Sequence, residues 1–147
     1  MPFLQVIELS ASGVPVGIVD RQWAYLSHDG AVLFLDTPTP RPLFLVTILE
    51  WRETLMPTLA QGLQACGLDP ALAATFPVDR GVRMGLTWGT AYWEALAIGW
   101  VTREASAPRF LLELQVLTTQ GSTQRIRHTA RRLAQAATRT SSMSSSG

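Results

Sequence analysis

Lysine and asparagine are missing altogether from this 147-residue chain, so its twelve formal positive side chains are all arginines. These absences exclude several mechanisms outright. A phosphate-cradling P-loop needs its lysine, Schiff-base chemistry needs an amine, and N-glycosylation needs an asparagine acceptor. Cysteine is nearly absent as well. Cys66 alone cannot form an intramolecular disulfide or a multi-cysteine zinc site, and a free thiol suits a reducing, cytoplasmic compartment. The start, Met1-Pro2-Phe3-Leu4-Gln5, lacks the basic region of a secretory signal, and Glu8 interrupts its apolar run. The expectation is a cytoplasmic protein with no metal, no cofactor and no membrane partner.

What is present is apolar and close to neutral: 47% hydrophobic residues and a net charge of +1. That total hides an uneven distribution. Residues 1–104 hold six Arg against ten acids, whereas residues 105–147 hold six Arg against Glu113 alone, giving −4 and +5. Asymmetry of this kind points to an electrostatic contact, either within the molecule or with a partner.

The first 36 residues read as strands. Phe3–Leu9, Val14–Val19, Trp23–Leu26 and Ala31–Asp36 are short β-branched or aromatic runs, and His28-Asp29-Gly30 supplies a tight turn. Pro15 places the second run toward a sheet edge. The proline-rich segment 37–42 ends the β part. Leu43–Leu49 fits a buried strand or a buried helix equally. Trp51, Leu55, Leu59 and Leu63 recur every four residues and predict a helix over 50–66, kinked or divided near Met56 by Pro57 and closed by Gly67. Asp69-Pro70 opens a short helix that Pro77 ends. The spacing predicts a charged loop over 78–85, a helix over 87–103 capped by Thr87, and a stretch over 110–117 that leans toward a strand with a helix nearly as good. A last helix follows, capped by Ser122 and ending near Thr138. The expected fold is α+β: an antiparallel β-meander packed against three to five helices, with a mostly α chain as the alternative. The expected organisation is one globular domain over 1–139, β-rich in 1–36 and helical in 43–139, with a disordered Ser-rich tail over 140–147.

Two constellations stand out. In the last helix Ile126, Ala130, Leu133 and Ala137 form a narrow apolar seam, and Arg125, Arg127, His128, Arg131 and Arg132 surround it, with Arg139 just beyond. Guanidiniums held this way suit carboxylates or phosphates. A second group, Arg83, Trp88, Tyr92, Trp93, Glu94 and Trp100, offers a pocket lined by indoles around one carboxylate. Buried without a partner, Glu94 could serve as an acid; paired, it is architecture.

Catalytic templates do not match. His28 and His128 lie in different segments, and there is no zinc-protease, nucleophile-elbow, dinucleotide-binding or EF-hand motif. A Cys66–His128 dyad remains only as a formal pairing. The function expected is therefore a non-enzymatic binding protein (adaptor, regulator or immunity-type inhibitor) that meets a protein partner or a second copy through the arginine helix. The alternatives are a nucleic-acid accessory protein using Arg125, Arg127, Arg131 and Arg132, and a small enzyme built on Asp79, Arg83 and Glu94. A pI near 8.0, with no aromatic in the last helix, weakens the nucleic-acid reading.

Overall fold

A computed structural model describes residues 2–9, 13–37 and 42–145, with side chains through Arg139. Its architecture is α+β, with an N-terminal antiparallel meander packed against helices. The chain forms two compact units, residues 1–78 and 79–147. The first holds three Arg against seven acids and the second nine against four, so the net charges of −4 and +5 persist when the division is structural. They persist because residues 79–104 balance, with three Arg and three acids.

In the first unit, β1 (Leu4–Leu9), β2 (Val14–Val19), β3 (Gln22–Leu26) and β4 (Val32–Phe34) pair in chain order. β2 is an inner strand, which corrects the edge position expected from Pro15. The proline is tolerated because it pairs only with Glu8 of β1, while the β3 ladder starts one residue later at Val16↔Tyr25. Asp20 and Arg21 form a two-residue turn with positive φ at both positions, the geometry that matches the twist of a hairpin. The expected His28-Asp29-Gly30 turn is present: Gly30 donates to the Ser27 carbonyl at 3.0 Å. Ser12, which with Gly13 is the turn signal between the first two runs, and residues 38–41 of the proline-rich segment lie outside the described residues.

Leu43–Glu50 is a 3-10 helix, so neither expected form is quite met. Phe44 sets its ring edge-on to Tyr25 of β3 at 4.8 Å. Of the expected kink or division near Met56, the structure has the division: after a short 3-10 turn over Arg52–Thr54, α1 runs Leu55–Ala65. Pro57 then falls in its first turn, where the missing N–H would have had no partner. Leu55, Leu59 and Leu63 are fully buried along one face, as the four-residue spacing predicts. Asp69 caps the Pro70–Thr75 3-10 helix by accepting from Ala71 N at 2.9 Å. Trp23 of β3 donates to Thr75 Oγ1 at 3.0 Å and meets Phe76 edge-on at 5.0 Å, which ties this segment to the sheet.

The second unit departs further from the sequence pattern. The expected loop at 78–85 is the helix α2 (Val78–Leu86). Gly81 and Gly85 lower its intrinsic propensity, yet Val82, Met84 and Leu86 are buried, and packing overrides propensity. Thr87 closes α2 by donating to the Arg83 carbonyl at 2.8 Å instead of opening the next helix. Gly89, at φ +95°, breaks the chain, and α3 runs Ala91–Glu104. The strand-leaning stretch is the helix α4 (Leu111–Gln120). Last comes α5 (Gln124–Ser145), which continues past Thr138, where the pattern places its end and the start of a tail. Residues 146 and 147 lie outside the described residues. The seam of α5 consists of Ile126, Ala130, Ala134 and Ala137, with Leu133 half-buried, and it packs on α4 and α3.

Candidate functional site

α5 begins with a local motif. Thr123 Oγ1 accepts from Ile126 N at 3.1 Å and caps the first turn. Ser122, expected as the cap, instead faces Glu94 of α3. Its N–H donates to Glu94 Oε1 at 2.8 Å and its hydroxyl to Oε2 at 3.0 Å. Glu94 is 1% exposed, and this carboxylate sits at the positive end of α5, where a negative charge is favoured. Both oxygens are committed to holding α3 against the start of α5.

The arginines of α5 then separate by role. Arg127 donates to the Gly121 carbonyl at 2.8 Å, which closes the α4–α5 connection. His128 lies one turn from Gln124, 3.4 Å from its side-chain nitrogen. Arg125, Arg131 and Arg132 are exposed and have no hydrogen bond or ion pair among the described residues of this unit. They do not form one basic face. Arg125 and Arg132 overhang a groove of about 560 Å³ between α3 and α5, with Ile98 and Ile126 at its base. Arg131 and Arg139 overhang a second groove of about 560 Å³ between α4 and α5, whose lining includes Gln115, Thr118, Gln135 and Thr138. Thr129 is the contributor from α5 that the sequence pattern did not single out. The spacing of Arg125, Thr129 and Arg132, four residues then three, was the available signal.

The indole group does not assemble around one carboxylate. Trp100 is buried, with Arg103 over its ring at 5.0 Å. Trp88 and Tyr92 are exposed and contact Trp93 at 6.1 and 4.9 Å, forming an aromatic cluster at the start of α3. Arg83 lies elsewhere: its Nε donates to Glu113 of α4 at 2.7 Å, and its guanidinium sits over the Phe110 ring at 5.1 Å. Arg109, on the 3-10 turn Ala107–Phe110, pairs with Asp79 at 3.1 Å. Asp79, Arg83, Arg109 and Glu113 therefore clamp α2 to the start of α4 around Phe110. A groove of about 290 Å³ between α4 and the α2–α3 connection does include Glu94 and Glu113, but each already has its donor.

In the first unit the Cys66 thiol donates to the Gln5 carbonyl at 3.2 Å, the contact of a packing residue. His28 lines a small cavity of about 230 Å³ with Tyr25, Phe44 and the start of β2. Among the described residues no three His, Cys, Asp or Glu side chains are grouped to hold a metal ion, and no helix is long and apolar enough to cross a membrane. No protein-family model, no curated protein and no solved structure matches this chain.

Proposed function

We propose that this is a non-enzymatic binding protein, an adaptor, regulator or inhibitor, whose second unit contacts an acidic protein partner through the arginines of α5. One observation carries the reading. Among the described residues, the side chains of Arg125, Arg131 and Arg132 stay exposed with no hydrogen bond or ion pair, while three of the unit's four carboxylates, Asp79, Glu94 and Glu113, are bonded elsewhere. Guanidiniums left open in this way are suited to bidentate contact with carboxylates supplied from outside. The enzyme reading has less support, because the groups it would use, Asp79, Arg83 and Glu94, each serve a packing contact.

The test is the simultaneous replacement of Arg125, Arg131 and Arg132 by Gln. Arg127 is left in place because it holds the Gly121 carbonyl. Partners captured from an extract of the source cell should fall by about tenfold or more, with circular dichroism and melting unchanged. Undiminished capture by a folded variant overturns the proposal. A nucleic-acid partner is the second reading, favoured by the α4–α5 groove, whose Arg131, Arg139, Gln115 and Gln135 are all donors. It requires a salt-sensitive affinity for random duplex that Arg131→Gln and Arg139→Gln together weaken.

A further inference from the structure

The groove between α3 and α5 has two unlike walls. On α5, Arg125, Thr129 and Arg132 follow one another at spacings of four and three, so they share one stripe of the helix. The two guanidinium-bearing residues stand about 10.5 Å apart along the helix axis, seven residues at the α-helical rise. On α3, the facing wall is Ala91, Ala95 and Gly99, all exposed, and a Cβ added at Gly99 would meet no atom within 4 Å. No carboxylate lines this groove. One side is therefore low and apolar, open to close approach by a backbone, and the other carries two unpaired cations two turns apart.

An α-helix matches both features. Carboxylates at positions i and i+7 of a docked helix project in the same direction with the same axial separation as Arg125 and Arg132. Apolar side chains at i+3 and i+4 fall between them, over Ile98 and Ile126. A nucleic-acid backbone fits poorly, because the α3 wall offers it methyl groups and no donor side chain. A second copy of the chain does not supply the pattern either. Among the described residues no α-helix carries two carboxylates seven positions apart: α3 has Glu94 and Glu104, α2 has Asp79, and α4 has Glu113.

Resting on the reading of a protein partner, we infer that this groove receives an amphipathic helix of a different protein, bearing two carboxylates two turns apart that pair with Arg125 and Arg132. The groove between α4 and α5, overhung by Arg131 and Arg139, is a separate surface.

The probe is a synthetic helical peptide with Leu on one face and Glu at two positions seven apart. A control peptide carries Gln at both positions. Each is labelled and titrated by fluorescence anisotropy against the intact chain. The Glu peptide should bind at least about tenfold more tightly than the Gln peptide, and Arg125→Gln with Arg132→Gln should remove that difference. Gly99→Leu should fill the groove and weaken the Glu peptide by about tenfold or more, without lowering the melting temperature. If Gly99→Leu does not fold, Thr129→Glu gives the same readout by setting a carboxylate between the two arginines. The inference is overturned by absence of saturable binding, by equal binding of both peptides, or by binding that survives the groove variants. It is also overturned if the chain self-associates and Gly99→Leu abolishes that association, which would make the occupant a second copy. Failure of the peptide while the triple arginine variant still loses its captured partner rejects the groove and leaves the proposed function standing. Unchanged capture rejects the proposed function itself.

Discussion

Glu94 lies among Trp, Leu and Ala on α3, is almost wholly buried, and gives both oxygens to Ser122 twenty-eight residues later. Composition alone left it either a buried acid without a partner or a paired structural group. The actual partner was not legible because a serine N–H and hydroxyl carry no charge signal along the chain. A comparable local network is visible at Asp29, where the Ser27 hydroxyl and then the Ala31 N–H donate to the carboxylate and hold its pKa below the usual Asp value. A depressed carboxylate favours the folded state above its unfolded pKa, and that contribution is lost as pH falls through the folded value. Ser27→Ala should move the Asp29 titration, followed by NMR, back toward an ordinary aspartate; an unmoved midpoint would show that the hydroxyl does not hold it. Backbone strain gives a second prediction at this scale. Ala105 ends α3 at φ +51°, with Ser106 N donating to the Val101 carbonyl at 3.1 Å, a helix stop that glycine makes without the Cβ penalty. Ala105→Gly should raise stability by about 1 kcal/mol in urea denaturation.

At the level of elements, the β-meander was the most legible part of the chain. Its strands are short, rich in β-branched residues and punctuated by turns, and those signals are local. In the second unit α3 and the start of α5 were legible to within a few residues, α2 was hidden by its glycines and charges, and α4 by its exposed apolar residues. Across the entry to α4, Phe110, Leu112, Leu114 and Val116 alternate like a strand, yet Leu112 and Val116 are 76% and 55% exposed, and the buried pair within the helix is Leu114 and Leu117. Three-residue spacing of the residues that matter was masked by two that do not reach the core. Two helical glycines then separate packing from propensity. On α1, a Cβ at Gly62 would come within 2.3 Å of the Val6 carbonyl, at the irregularity of β1 between Gln5 and Ile7, so the helix lies directly on the strand backbone. On α3, Gly99 has open space. Gly62→Ala should therefore destabilise by about 1–3 kcal/mol through overpacking, and Gly99→Ala should stabilise by about 0.5–1 kcal/mol through helix propensity. Thermal or chemical denaturation of the two variants reads the opposite signs directly, and a Gly62→Ala that does not destabilise would refute the close α1–β1 contact.

For the molecule as a whole, the formal charge of +1 conceals a partition that follows its structural division, −4 on the first unit and +5 on the second. Net charge would forecast little long-range attraction for an acidic partner. The field near the α3–α5 groove is set instead by Arg125, Arg132 and their neighbours, which are within a Debye length of a docking helix at low salt and screened from it at high salt. That the charge is asymmetric was legible in the sequence. That the arginines divide between two grooves was not, because it depends on which faces of α5 meet α3 and α4. The kinetic consequence distinguishes local charge from total charge. The association rate constant of the Glu peptide, measured by stopped-flow, should fall about tenfold between roughly 20 and 300 mM salt, while its dissociation rate changes much less. A nearly flat association rate is what the +1 total alone would give, and it would mean that the open guanidiniums of α5 do not steer the partner.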